Sequence, residues 1–187
     1  PSAAKTGMLF DAETAAAVAE FFAARPEIRL AVDPVLVSTS GSRLLEDGAA
    51  EILENSLIPL AEVFTPNLDE GALLLGADKI ENVADAARAL YEKYGVPVLL
   101  KGGHLKGGAV TDVLFDESGT LEMSSARIYG VDTHGSGCTL SAAIAANFAK
   151  GLGLRDACRA AREYLQAGMS APLKVGGRNF INHFPQK

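Results

Sequence analysis

Asp132, Thr133, His134, Gly135, Ser136, Gly137 and Cys138 run without a break into TLSAAIAANFA (139–149), and this stretch decides how the chain is read. Small residues in a turn that opens directly into an apolar helical run bring several unpaired backbone N–H groups and the positive end of the helix dipole to one point. That point favours an anion, and phosphate is the usual occupant of such a Gly-rich junction. Cys138 stands where the same field favours a thiolate. By itself the stretch leaves a second reading open, in which Gly135 and Gly137 merely permit a tight turn at a helix start. Its neighbours in the sequence decide between them.

Composition narrows the field first. A chain of 187 residues with 48% hydrophobic and 21% charged content is a globular chain of single-domain size. A formal charge of −6, with no Lys/Arg cluster to meet a nucleic-acid backbone, excludes a nucleic-acid partner and favours a small molecule. Cys138 and Cys158 lack metal-ligand spacing and make no disulfide framework, which fits a reducing cytoplasm. No apolar run reaches the roughly 18 residues of a membrane span, and residues 1–7 do not have a signal-peptide layout.

Working outward, strands and helices alternate. AKTGML (4–9) and IRLAVD (28–33) read as buried strands flanking an amphipathic helix over 11–24. A helix near 43–57 leads to the strand EVFTP (62–66), a helix over 67–75 and a longer one over 82–94 capped by Asn82. VPVLLKGG (96–103) is the next strand, and 109–115 and 119–128 form an antiparallel pair about the DESG turn. Helices over 136–150 and 154–171, separated by KGLGL, close the pattern. The prediction is one α/β domain over 1–187, a mostly parallel sheet with an antiparallel addition.

Open parallel sheets bind ligands at the C-terminal ends of their strands, and the residues with chemistry fall there. Asp33 ends a strand before Pro34, where a carboxylate facing a phosphate loop would hold Mg²⁺ through water; it would equally cap a turn. Asn67 and Glu70 are spaced i, i+3 and share a helix face, so both could turn to a metal–phosphate complex. The same spacing is a good capping arrangement. Lys101, before Gly102 and Gly103, could reach phosphate oxygens as a point charge, or lie solvated at a strand end. His104, His134 and His183 are given no role.

Together GML (7–9), DPVLVSTSGSRLL (33–45), TPNLDE (65–70), LLKGGHLKGG (99–108) followed by DVL (112–114), DTHGSGCTLSAAIAANFAKG (132–151) and NHF (182–184) resemble the hydroxymethylpyrimidine/phosphomethylpyrimidine kinases of thiamine biosynthesis, in the ribokinase-like superfamily. The resemblance implies a ribokinase-like three-layer fold and ATP-dependent phosphoryl transfer, with Mg²⁺, to 4-amino-5-hydroxymethyl-2-methylpyrimidine and its monophosphate. It implies that Gly135, Ser136, Gly137 and Cys138 form the catalytic anion hole, with Cys138 where most superfamily members carry an aspartate base. Asn67, Lys101 and Thr133 would bind the nucleotide, Asp33 and Glu70 the metal, and Gly7, Met8 and Val35 would border the pyrimidine. The family's Gly-rich first strand and the segment after it have no counterpart here. The chain is therefore expected to be the C-terminal portion of such a kinase, with an open apolar sheet edge and reduced activity alone. A pyridoxal or pyridoxine kinase, or a non-catalytic nucleotide-binding fragment, are the competing readings; a homodimer is left open.

Overall fold

The computed structural model describes residues 1–37, 44–103 and 107–185. Strand β1 (Ala3–Thr6) leads through helix α1 (Ala12–Ala23) to β2 (Arg29–Val32), and α2 (Asp47–Ile52) precedes the short β3 (Val63–Phe64). Helices α3 (Leu68–Leu75) and α4 (Val83–Tyr94) lead to β4 (Val98–Leu100), followed by the β5 (Ala109–Asp116) and β6 (Gly119–Ala126) hairpin. Helices α5 (Ser136–Ala149) and α6 (Leu154–Ser170) come next, then a small hairpin of β7 (Leu173–Val175) and β8 (Arg178–Phe180).

The six strands β1 to β6 lie in sequence order, the first four parallel and the last two antiparallel. Because each crossover steps the same way along the sheet, right-handed connection puts all of their helices on one face. Alternation along the strands shows it: Leu30, Val32, Phe64, Val98 and Leu100 pack in one core with residues of α1 to α4. Ala31, Val63, Leu99 and Leu114 face the other way, into a core with Leu140, Ile144 and Phe148 of α5 and Ala157, Cys158 and Ala161 of α6. The result is a three-layer sandwich, with both sheet faces covered. Arg29 fastens the layers. Its guanidinium lies 4.1 Å over the Phe148 ring and donates to Leu152 O and Glu62 Oε1, both at 2.7 Å.

Several expected boundaries move. The strand expected over 4–9 ends at Thr6, after which the chain turns through Phe10 with φ of 60°. Residue 43, the expected start of the second helix, lies outside the described residues; helix is present from Asp47 and passes after Ile52 into a π turn, Leu53–Leu57, and a 3₁₀ turn, Ile58–Leu60, that contains Pro59. The strand expected over 96–103 is regular only over Val98–Leu100. The β7–β8 hairpin around Gly176 and Gly177 was not anticipated at all. β1 is an edge strand, its Ala3, Ala4 and Lys5 half-buried rather than buried as expected. Among the described residues no helix is long and apolar enough to cross a membrane.

Candidate active site

Three backbone features converge at the C-terminal edge of the parallel strands. β2 ends at Val32 and is followed by Asp33, which is 2% exposed, and, two residues on, Val35 has φ of 46°. A β-branched residue in that region carries backbone strain, a feature concentrated at functional sites. β3 runs on through Thr65 and Pro66, beyond its last paired residue Phe64, into α3, whose N-cap is Asn67. β4 ends at Leu100, and Lys101 continues in a parallel bridge with Asn67, its N–H donating to Pro66 O at 2.9 Å. Three successive strand ends thus present Asp33, Asn67 and Lys101 side by side.

Lys101 and Asp33 meet directly. Lys101 Nζ donates to Asp33 Oδ1 at 2.9 Å, and both side chains are largely removed from solvent. Burial opposes charge on Lys101, yet the Asp33 and Glu70 carboxylates outweigh it and hold the ammonium above its ordinary pKa. Ser141 Oγ, one turn into α5, lies 3.2 Å from both Asp33 Oδ2 and the Cys138 carbonyl oxygen. Thr65 Oγ1 lies 3.4 Å from Asp33 Oδ1. Ser141 was not singled out from the sequence. Its signal was a polar residue within an apolar helical run, one turn after the Gly loop.

The loop 133–138 closes over this pair. Gly135 takes φ of 81° as the N-cap of α5, a conformation glycine adopts at little cost. Ser136 N–H donates to Thr133 O and Thr139 N–H to Gly135 O, at 3.0 and 2.8 Å. The N–H groups of Gly137 and Cys138 meet no acceptor among the described residues. They are the free donors that a helix start offers to an anion. A Cβ on Gly137 would stand 3.2 Å from Lys101 Nζ and 3.8 Å from Asp33 Oδ2, so free amides, ammonium and carboxylate occupy one small region.

Asn67 and Glu70 form a complete capping box: Asn67 Oδ1 accepts from Glu70 N at 2.9 Å, and Glu70 Oε2 from Asn67 N at 2.8 Å. Glu70 Oε1 also accepts from Leu36 N at 3.1 Å, tying α3 to the strained turn at Val35. Burial pushes the Glu70 carboxyl above its ordinary pKa, against the pull of Lys101. Of the two alternatives offered for this pair, the structure shows the capping arrangement, with both Glu70 oxygens accepting backbone N–H groups, while the buried carboxylate lies in the field of Lys101 and Asp33. Gly7 and the 56% exposed Met8 follow β1, next to the end of β2. Thr133 is exposed on the loop. His104 lies outside the described residues. Cys138 is exposed in the first turn of α5, whereas Cys158 is buried, and burial pushes its thiol up to about 12.

The donors suit a hard cation held partly by water and ligand phosphate. Among the described residues no three His, Cys, Asp or Glu side chains assemble into a metal cage, while Asp33 offers a carboxylate at the strand edge, as Mg²⁺ sites with few protein ligands do.

The profile of the phosphomethylpyrimidine kinase family matches residues 1–183. The chain belongs to that family. It is 45% identical over 188 residues to the hydroxymethylpyrimidine/phosphomethylpyrimidine kinase of Rhizobium meliloti (strain 1021), an alignment that covers 97% of this chain and 70% of that protein. It is 41% identical to the thiamine biosynthesis bifunctional protein ThiED of Geobacter sulfurreducens, covering 96% of this chain and 37% of that one. Among solved structures, the ADP complex of Bacillus subtilis pyridoxal kinase superposes with a TM-score of 0.87 at 32% identity, over 97% of this chain and 70% of that chain. The phosphomethylpyrimidine kinase of Clostridium difficile 630 gives 0.75 at 32% identity, over 89% and 68%. The ribokinase-like expectation for the fold therefore holds.

Proposed function

We propose that this site binds a magnesium nucleoside triphosphate and transfers its γ-phosphoryl group to the hydroxymethyl oxygen of 4-amino-5-hydroxymethyl-2-methylpyrimidine, and then to the phosphate of the product. The observation that carries the reading is the junction at Gly137, where two free N–H groups lie beside the Lys101–Asp33 pair. Phosphoryl transfer depends chiefly on positioning and on stabilising charge at the equatorial and leaving oxygens. The Gly137 and Cys138 amides would donate to the transferring group, and Gly135 and Ser136 would hold the turn that aims them. Lys101 would leave Asp33 for a phosphate oxygen, while Asn67 and Thr133 flank the nucleotide. Asp33, with Glu70 behind it, would hold Mg²⁺ through water; the ion neutralises phosphate charge when bound. Gly7, Met8 and Val35 would border the pyrimidine, and Cys138 would stand nearest the acceptor hydroxyl.

A pyridoxal kinase activity is the second reading. It is favoured by the pyridoxal kinases of Bacillus subtilis and Staphylococcus aureus, which superpose with TM-scores of 0.87 and 0.82 over nearly the whole chain. The free state of both cysteines suits a cytoplasmic enzyme. The test is calorimetric titration with the ATP analogue AMP-PCP, with and without Mg²⁺, beside ADP release with the pyrimidine or pyridoxal as acceptor. Metal-dependent binding and preferential turnover of the pyrimidine are expected. Preference for pyridoxal would establish the second reading, binding without transfer a nucleotide-binding fragment, and no binding of AMP-PCP with or without Mg²⁺ would refute all three.

A further inference from the structure

Behind the strand end that carries Lys101 lies a buried ion pair with no place in the proposed chemistry. Asp112 of β5 and Arg162 of α6 form a close ion pair, Nε 2.6 Å from Oδ2 although the Nε–H is not aligned for a hydrogen bond, their side chains 6% and 10% exposed. Arg162 also donates through Nη2 to Val110 O at 2.8 Å. Burying two charges costs several kcal/mol per ion before their attraction is counted, and well-packed apolar residues would often be as stable. The remaining oxygen of Asp112 shows what the pair does locally: Oδ1 accepts the Gly102 N–H at 2.8 Å.

The antiparallel register pairs Leu99 with Leu114 and Leu100 with Val113, so the ladder continued would set Gly102 opposite Thr111. Instead the Gly102 N–H goes to the Asp112 side chain. On the opposite side, Lys101 N–H is held by Pro66 O of the β3 end. Lys101 is thus clamped between two amide bonds, one to each neighbouring strand, and one anchor of that clamp is the carboxylate that Arg162 fixes.

We infer that Asp112 and Arg162 are positioning residues for Lys101: the pair replaces the backbone acceptor at Gly102, frees the strand end from the β5 ladder and aims the Lys101 ammonium at the anion loop. This rests on the proposed phosphoryl-transfer reading for what Lys101 meets, but not for how Lys101 is held. It also links α6, which contributes no residue to the site, to the alignment of the site's central cation.

The test is a double-mutant cycle on the full chain, read as affinity for Mg²⁺–AMP-PCP. Lys101→Met should weaken binding about tenfold in the parent and less than about twofold in Asp112→Leu/Arg162→Met, because a misaimed ammonium has little left to lose. The double variant removes both charges together, so it avoids leaving one buried and unpaired, and it removes the Gly102 acceptor; the conservative pair Asp112→Asn/Arg162→Gln, which keeps an oxygen able to accept the Gly102 N–H, should retain most of the Lys101→Met penalty. A purely structural pair would lower the thermal midpoint and leave the Lys101→Met penalty whole, which would overturn the inference. Amide hydrogen exchange supplies a readout that does not depend on nucleotide. Gly102 should exchange fast in the double variant while Leu99 and Leu100 stay protected, and equal protection of Gly102 in parent and variant would also overturn it. If the parent binds no nucleotide, the kinase reading fails and the exchange result alone decides the positioning role.

Discussion

Replacing Gly102 with alanine tests the site's support without touching any group that would meet substrate. A Cβ there would stand 1.9 Å from the Thr111 carbonyl oxygen and 3.0 Å from its carbon, whereas non-bonded heavy atoms settle near roughly 3.5 Å. Thr111 cannot yield, since it sits in β5 between β4 and its partner Ser124 in β6. Gly102 must therefore swing away by more than about 1 Å, and its N–H leaves Asp112. Overpacking against backbone costs about 1–3 kcal/mol, and loss of a buried hydrogen bond to a charged acceptor about 1.5–3 kcal/mol. The sum, roughly 2.5–6 kcal/mol, should lower the thermal midpoint by about 5–24 °C for a chain of this size. Gly103 is the internal control: a Cβ there meets nothing within 4 Å among the described residues, so Gly103→Ala should stay within about 0.5 kcal/mol of the parent. Calorimetric melting of the three proteins, followed by nucleotide titration below the lowest transition, gives both quantities. Midpoints for the two variants within about 2 °C of each other would refute the close approach of the Lys101–Gly102 segment to β5.

Three further outcomes follow from the same geometry. Brief alkylation should label the exposed Cys138 and spare the buried Cys158, with Mg²⁺–ATP protecting Cys138; peptide mapping that finds Cys158 labelled first would count against this. Cys158, whose ordinary value is 9.0, is pushed up to about 12, so the stability it contributes is fully present below pH 9 and lost as pH rises toward 12, by about 1.4 kcal/mol per unit. Denaturant titrations should therefore show the gap between parent and Cys158→Ala constant up to pH 9 and narrowing above it, and a pH-independent gap would contradict the burial. Gly137→Val, whose Cβ would lie 3.2 Å from Lys101 Nζ with two methyls beyond it, should abolish nucleotide binding while the melting transition stays cooperative. Full binding in that variant would remove the loop from the anion site.

How much could be read in advance differs by element. Helices with their own punctuation matched closely: α4 begins after the Asn82 cap and ends at Gly95 with φ of 71°, and α3 runs from its capping box to Gly76 with φ of 66°. Those signals are local, because cap and turn chemistry act within a few residues. The β7–β8 hairpin was missed because its outward residues Leu173 and Val175 are exposed, leaving no buried-strand pattern. It is held by tertiary contacts instead: Asp132 N–H donates to Asn179 O at 2.8 Å and Arg178 pairs with Asp132 at 2.6 Å.

The sequence by itself determined the alternation of strands and helices, the layered class and the family, since periodicity, caps and motif order are all written along the chain. It also named Asp33, Asn67, Glu70, Lys101 and the 133–138 loop as candidates. Only the tertiary structure decided which of these touch. Asp33 and Lys101 are 68 residues apart, yet their charges meet at 2.9 Å because β2 and β4 flank β3 in a parallel sheet and end at the same edge. Ser141 reaches Asp33 across 108 residues, and Arg162 anchors a strand end 60 positions earlier through Asp112. Such pairings depend on strand order, register and which face each helix covers. These are set by long-range packing and chain closure, on which local composition is silent.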